Sequence, residues 1–292
     1  MANRFTPQRC PKCGARYDAL LEHCPSCGQE SGDRGLGVYS HHIKLGWIRQ
    51  LAIFLVGWLG FQLLVNLIAA VWFAAELAIN PGWTTEDLSE YSKTVGFNGP
   101  LNFLSYGLLF AFIALLLWKN WKNVIQSFRG WKPFAIGALT GIGVIMASIA
   151  CNVFSTALAQ VIGIEYGDNQ NQNLLAEIVP AFPVISLLIF GLIGPFCEEC
   201  TYRVGLFSFL SRISRPAAYA ISAVFFGLIH FGWNTITGGD ADALILELLN
   251  LPAYIVSGLI FSISYDKGGF SASWIGHAFN NVYAISMMLI IK

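Results

Sequence analysis

Apolar stretches long enough to cross a bilayer recur along most of this chain. A hydrocarbon core of about 30 Å takes roughly 20 helical residues, and stretches of that kind run over 47–75, 101–118, 134–162, 181–210, 216–231, 244–265 and 271–291. Backbone polar groups surrounded by lipid must be satisfied inside their own segment. The expected fold is therefore an all-α polytopic membrane protein with about seven transmembrane helices. Composition agrees, with 55% hydrophobic and 12% charged residues, against about 25% charged in a soluble domain. Soluble, disordered and collagen-like classes are excluded. The fifth stretch is short and the sixth contains Pro252, so a half-membrane or kinked segment is admissible there.

Cytoplasmic connections retain Lys and Arg. The segment through Arg49 holds seven of them and the 119–132 connection four, Arg212 and Arg215 follow the fourth stretch, and Lys267 precedes the seventh. The alternate connections carry Lys93 alone, beside Glu76, Glu86, Asp87, Glu90, Glu165, Asp168, Glu177, Asp240, Asp242 and Glu247. No apolar run of signal-peptide type precedes Trp47. Together these features predict a multi-pass protein of the cell membrane with a cytoplasmic N-terminus. Trp47, Trp83, Trp118, Trp121 and Trp131 fall near stretch ends, where indole rings prefer the interface. The net charge is zero, 17 basic against 17 acidic, so no basic excess points to nucleic acid as a partner.

Residues 1–30 have a different character. Cys10-Pro-Lys-Cys13-Gly and Cys24-Pro-Ser-Cys27-Gly are two Cys-x-x-Cys turns, a pattern that completes a tetrahedral shell of four thiolates. In a reducing compartment paired thiols hold metal more often than they form disulfides. Two disulfides or an iron site are the alternatives. The segment is read as a zinc ribbon with Cys10, Cys13, Cys24 and Cys27 as ligands, too small to fold without its metal. A closed shell of this kind is structural, with docking to a cytoplasmic partner or to the rest of the chain as its task. Residues 31–46, Gly-rich and carrying His41 and His42, read as a linker to a membrane domain over 47–292.

Ionisable residues at mid-bilayer cost on the order of 2.5–3.5 kcal/mol each and need a reason to be there. The fourth stretch contains Glu198-Glu199-Cys-Thr-Tyr-Arg203. Glu199 and Arg203 are spaced i, i+4 and can pair, which leaves Glu198 without a partner on its own helix and makes it a candidate general base. Pro195 cannot donate to the Gly191 carbonyl, so the helix is expected to distort there. The fifth stretch ends Phe226-x-x-x-His230, and the seventh holds His277-x-x-x-Asn281, one helical turn apart. Two imidazoles, an amide and an unpaired carboxyl supply what peptide hydrolysis by activated water requires: a base, a group to hold the water, and donors for the oxyanion. Cys197, Cys200 and Cys151 read as packing residues, as do Gly137 and Gly141 on a small-residue face.

Taken together and in this order, Glu198-Glu199-x-x-x-Arg203, Phe226-x-x-x-His230 and His277-x-x-x-Asn281 resemble the CPBP family of intramembrane endopeptidases, which groups CAAX prenyl proteases with bacteriocin-processing and immunity proteins (Abi-type). The likeness covers residues 180–292. It departs from the family pattern at Val204, where Gly is usual, and at Tyr202, where Phe is common. The resemblance implies that Glu198 activates water with help from His230, that His277 and Asn281 form the oxyanion hole, and that Glu199 and Arg203 are supporting residues. A metalloprotease with Glu198, His230 and His277 around zinc is the other mechanism; the Arg203 cation beside any metal favours the metal-free, glutamic one.

The expected function is an intramembrane endopeptidase acting on membrane-associated proteins or peptides, of CAAX type or processing bacteriocin-like peptides. The alternative is a non-catalytic regulator or immunity protein that binds a partner through the same motifs. A proton-coupled transporter is a further rival, disfavoured because no inverted repeat is apparent. One tension remains in the geometry. At 1.5 Å per residue His230 lies about 20 Å from the inner end of its stretch and His277 about 9 Å, so tilt or an interfacial start to the fifth helix is needed to bring them together.

Overall fold

The computed structural model describes residues 7–10, 12–18, 24, 26, 27, 43 and 45–290. Near the N-terminus β1 (Pro7–Arg9) pairs antiparallel with β2 (Arg16–Asp18). The helices that follow are α1 (Trp47–Ile79), α2 (Thr85–Ser92), α3 (Val95–Leu116), α4 (Trp121–Gln126), α5 (Lys132–Ile162) and α6 (Gln170–Ala181). Then come α7 (Pro183–Ser211), α8 (Arg215–Leu228), α9 (Thr235–Gly238) and α10 (Ala241–Ile290). The expected linker lies mostly outside the described residues. Its last part is packed, with Ile43 and Leu45 buried in the largest apolar cluster and the Leu45 carbonyl accepting from Arg212.

Five of these helices, α1, α3, α5, α7 and α10, are long and apolar enough to cross a membrane, where the sequence suggested seven spans. The difference has two sources. Helix α8 has 14 residues, about 21 Å of rise, and stops short of a full crossing. Helix α10 holds both of the last two apolar stretches, interrupted at Gly269 (φ 80°, ψ −174°), a conformation open to Gly and strained for other residues. The chain reverses there: Ser273 Oγ donates to the Phe261 carbonyl at 2.9 Å, and the His277 ring stacks on Phe261 at 4.4 Å. In a straight helix residues 261 and 277 would be about 24 Å apart. The two arms of α10 thus form an antiparallel hairpin.

The hairpin tip is recessed, which takes up part of the depth mismatch between the two histidines. Gly268, Gly269, Phe270 and Ser271 are all buried, and Ser271 donates to the Ser127 carbonyl just past α4. Helix α4 covers the tip, with Trp121 stacked on Phe196 and Phe128 edge-on to Trp274. Asp266, beside the tip, is met by the Arg215 side chain and by Tyr219, one turn further along α8 (2.7 Å). The tip therefore lies about one helical turn deeper than the start of α8.

Helix α7 is the centre of the bundle. In its most apolar window 61% of residues are buried, against 17–33% in the other spans, whose outer faces present Leu, Ile, Val and Phe to lipid. Trp47, Trp118 and Trp131 are more than half exposed at helix ends. Helix α5 lies along both arms of α10. A Cβ on Gly137 would stand 2.7 Å from Ile275 and one on Gly141 2.5 Å from Phe279, so only Gly permits the approach, and Thr140 Oγ1 donates to Ser264 at 2.8 Å across it. At one end of the bundle a capping box starts α2: Thr84 N–H donates to Asp87 at 2.7 Å and holds that carboxyl below the ordinary Asp range.

Candidate active site

The acidic pair sits where α7 departs from regular helix. Widened π turns cover Ile189–Ile193 and Cys200–Phe207, and bracket the short α-helical piece Gly194–Glu199. The first lies directly ahead of Pro195, where a missing N–H was expected to disturb the ladder. Cys197 and Cys200 are wholly buried in the surrounding apolar cluster.

Glu199 is saturated. Its Oε1 is 3.0 Å from His277 Nδ1, and its Oε2 is 3.3 Å from Arg203 Nε and accepts from the Ser273 hydroxyl. Neither Glu199 nor Arg203 has any exposed side-chain surface. Arg203 Nη2 donates to the Gly258 carbonyl at 3.0 Å, and its guanidinium lies over the Phe226 ring at 4.5 Å. A carboxylate accepting at Nδ1 fixes the tautomer of His277, with Nδ1 carrying a proton and Nε2 facing away.

Glu198 is not saturated. Its Oε1 accepts from Tyr106 at 3.0 Å. Its Oε2 is buried without a hydrogen-bond partner among the described residues, 3.7 Å from His277 Nε2 and 4.0 Å from His230 Nε2. Both imidazoles are held by rings: His230 stacks on Tyr254 (4.4 Å, 16°), His277 on Phe261 (4.4 Å, 20°), and Phe226 stands edge-on to both at 5.2 and 5.5 Å. One carboxylate oxygen and two imidazole nitrogens thus converge from three helical segments distant in sequence.

Both imidazoles line a cavity of about 290 Å³ that also reaches Asn152, Asp168, Phe190 and Asn281. Asn281 shares this space, but its side chain is turned toward backbone: Nδ2 donates to the Phe190 carbonyl at 2.9 Å, and Oδ1 accepts from Asn280 at 3.2 Å. One amide hydrogen of Asn281 remains uncommitted by those contacts. Glu198 lies behind the imidazoles rather than on the cavity wall.

The N-terminal thiols form a separate cluster. All four Sγ atoms lie within 4.8 Å of one another, with Cys10–Cys27 and Cys13–Cys24 each at 3.5 Å. Disulfide sulfurs stand near 2.05 Å, whereas a tetrahedral shell at 2.3 Å from zinc puts them about 3.8 Å apart; the cluster has metal-site dimensions. Gly14 (φ 74°) closes the first turn, its N–H donating to the Cys10 carbonyl at 2.9 Å. Burial pushes the Cys10 thiol up, but backbone N–H donors of Cys13 and Lys12 and the neighbouring thiols outweigh it and bring the pKa down to about 6. These residues fit a structural zinc ion, and the four cysteines would hold it.

Residues 180–283 match the family model of type II CAAX prenyl endopeptidase Rce1-like proteins. This segment is Rce1-like. It spans a little over a third of the chain and contains Glu198, Glu199, Arg203, His230, His277 and Asn281. The match supports protease activity, and the five long apolar helices a multi-pass membrane protein. Neither the curated proteins nor the solved structures searched contain a match to the chain.

Several residues around the site were not anticipated from the sequence. Tyr106 and Asn169 lie outside the Rce1-like segment; Tyr106 binds Glu198, and Asn169 Nδ2 donates to the His230 carbonyl at 3.1 Å. A phenol midway along a membrane span, next to Ser105 and one turn from Asn102, was the available signal for Tyr106. Within the Rce1-like segment, Ser273 and Tyr254 support Glu199 and His230. Glu247, counted above among the loop acids, is only 1% exposed and accepts from the Gln170 and Gly232 N–H groups, both at 2.8 Å. It ties the start of α6 to the turn that follows His230.

Proposed function

We propose that this protein is an intramembrane endopeptidase that hydrolyses peptide bonds of membrane-associated proteins or peptides with water activated at Glu198. The observation that carries the reading is the convergence of Glu198 Oε2 with the Nε2 atoms of His230 and His277, the two imidazoles lining a cavity and the carboxylate lying directly behind them. Glu198 is the general base and His230 holds the attacking water against it. Water gives its proton to Glu198 as its oxygen attacks the carbonyl carbon. The tetrahedral oxyanion is met by His277 Nε2–H and by the uncommitted amide hydrogen of Asn281. The C–N bond then breaks as Glu198 returns the proton to the leaving nitrogen. For His277 to donate from Nε2 it carries a second proton. In that state the charges of Glu198, Glu199, Arg203 and His277 sum to zero, which suits a site enclosed in lipid.

The mechanism is of the glutamic type. His277 is anchored through Nδ1 to a Glu199 that is itself paired with Arg203, and this built-in cation takes the neutralising place that a metal has in a two-histidine, one-carboxylate zinc site. The chain sits in the cell membrane with its N-terminus in the cytoplasm, as the Lys and Arg of its connections direct. Its first 30 residues form a structural zinc ribbon, joined through 31–46 to the membrane domain and docking a cytoplasmic partner. Comparing peptide termini in membranes containing the wild-type protein with those containing Glu198→Ala tests the reading. New termini present only with the wild type are expected. Identical termini in the two, with biological activity retained by Glu198→Ala, would leave a binding protein of the regulator or immunity kind.

A further inference from the structure

His277 and His230 are held by different means. His277 is oriented through its ring, since Nδ1 meets the saturated Glu199 at 3.0 Å. Among the described residues no side chain hydrogen-bonds to either ring nitrogen of His230, and Glu198 Oε2 stands 4.0 Å from its Nε2. Nor does regular helix place it. Helix α8 ends at Leu228, and His230 follows in a turn, its N–H donating to the Gly227 carbonyl at 3.1 Å. A residue past a helix end carries a carbonyl that the helical ladder leaves open. What fixes this imidazole must therefore act on the backbone around it and on its ring face.

Two residues that the mechanism does not use act there. Asn169 caps α6: its Oδ1 accepts from the Gln172 N–H at 3.0 Å, which leaves Nδ2 as the donor that reaches the His230 carbonyl at 3.1 Å. The same Oδ1 accepts at 3.4 Å from the hydroxyl of Tyr254, whose ring stacks on His230. Two positions after His230, the Gly232 N–H donates to Glu247 Oε2, while Glu247 Oε1 accepts from the Gln170 N–H beside Asn169, both at 2.8 Å. A Cβ on Gly232 would stand 2.8 Å from Glu247 Oε1, so the turn closes this tightly only on Gly. Asn169 is 2% exposed and Glu247 1%. Main-chain N–H groups take the place of a Lys or Arg, since none pairs with Glu247 among the described residues, and burying a carboxylate in that way is expensive. The circuit through Asn169, Gln170, Glu247 and Gly232 closes on the turn that carries the imidazole.

We infer that Asn169 and Glu247 are positioning residues for His230: together they set the height of its turn and, through Tyr254, the plane of its ring against Glu198. This rests on the hydrolytic reading above, in which His230 holds the attacking water. Asn169 precedes the Rce1-like segment, so the α5–α6 connection is part of the reacting assembly. A misplacement of about 1 Å at the reacting atoms costs on the order of 10²-fold in rate.

Two variants of the full-length protein, labelled with nitrogen-15 at histidine and held in detergent, test the inference. Asn169→Ser keeps a good helix cap and is too short to reach His230. Glu247→Gln keeps the size and sets a donor against a main-chain N–H. His230→Gln and His277→Gln assign the ring signals. The expected result in both variants is a displaced or broadened His230 signal with the His277 signal in place. With it kcat falls about 10- to 100-fold at unchanged KM, because neither side chain lines the cavity. A His230 signal identical to the wild type in both variants overturns the inference whatever happens to cleavage, and so does a shifted signal with kcat intact. Equal disturbance of His230 and His277 with a lowered thermal midpoint would reduce both residues to fold stability and overturns it as well. If Glu247→Gln does not fold, Asn169→Ser decides by the same readings. A wild type that yields no Glu198-dependent termini would sink the hydrolytic reading, while the ring signals still decide what holds His230.

Discussion

The N-terminal thiol cluster and the carboxylate–imidazole cluster are both gatherings of ligand-type side chains, assembled by opposite means. The four cysteines come from within 17 positions of one another, in two tight turns beside a two-stranded hairpin with almost no apolar core. So small a segment has too little core to offset the entropy of ordering it, and a metal ion held by the four thiolates would supply what is missing. In the membrane cluster, Tyr106 and Glu198 are 92 positions apart, and the groups are placed by helices that lipid and mutual packing already hold. There Glu199 is paired with Arg203 and bonded to His277, and one oxygen of Glu198 is left without a hydrogen-bond partner among the described residues. The first cluster uses its side chains to make structure; the second uses structure to keep one side chain unsatisfied.

Metal removal is the strongest way to break this comparison. Structural zinc in ribbons of this size carries about 10–16 kcal/mol of apparent binding energy. Exhaustive chelation, or Cys10→Ser, is expected to strip the ribbon of one zinc per chain and unfold it, while Glu198-dependent cleavage continues. Zinc content and product termini measured on one preparation decide the matter. Cleavage that vanishes with chelation of the Cys10→Ser protein and returns on adding zinc would place a second metal among Glu198, His230 and His277, and the contrast would fail.

Next in size is the leftover carboxylate itself. Glu198→Gln keeps the shape and the acceptor for Tyr106 but removes the base, and general-base catalysis is worth about 10²–10⁴-fold. A loss of that order in turnover is expected with folding intact. Retained turnover would mean that another group activates water. The saturated neighbour should behave differently. Arg203→Met leaves Glu199 buried without its cation, an omission that costs about 3–5 kcal/mol, visible as a lowered thermal midpoint in detergent. Replacing both partners, Glu199→Gln with Arg203→Met, should recover part of that stability and none of the activity, because His277 has lost its anchor. A midpoint unchanged in Arg203→Met would show that the pair is not the charge balance described here.

The contrast also explains what could be read from the residues beforehand. Apolar length and charge asymmetry made the helical membrane fold legible, and Cys-x-x-Cys spacing made the thiol cluster legible, because in each case the determinants are local. The Glu199–Arg203 pair was legible for the same reason, being one turn of one helix. What was not legible depends on contacts between segments. Hydropathy cannot distinguish two crossings from a hairpin with a buried tip, and only the positive φ at Gly269 and the α4 cover reveal the recess that moves His277 toward the level of His230. Glu247 looked like a solvated loop acid because its partners are backbone N–H groups of Gln170 and Gly232, which carry no side-chain signature. Asn281 was expected to aim at the reacting carbonyl, and sequence gave no hint that the Phe190 carbonyl competes for its amide.

Tyr106 offers the finest test, because it links a helix outside the Rce1-like segment to the reacting carboxylate. Among the described residues its hydroxyl is the one side-chain donor on Glu198 Oε1, and its ring packs against Phe61 (4.9 Å) and Phe190 (6.1 Å). Tyr106→Phe keeps those ring contacts and removes the donor alone. A hydrogen bond to a charged group is worth about 1.5–3 kcal/mol, and 1.4 kcal/mol is tenfold in rate. Since the phenol touches Glu198 and lies off the cavity wall, kcat is expected to fall about 10- to 150-fold with KM unchanged. Tyr106→Ala should add a stability loss through the vacated ring space, which separates packing from positioning. If Tyr106→Phe raises KM and leaves kcat alone, the phenol belongs to substrate binding, and the boundary drawn here between the cavity wall and the reacting carboxylate has to move.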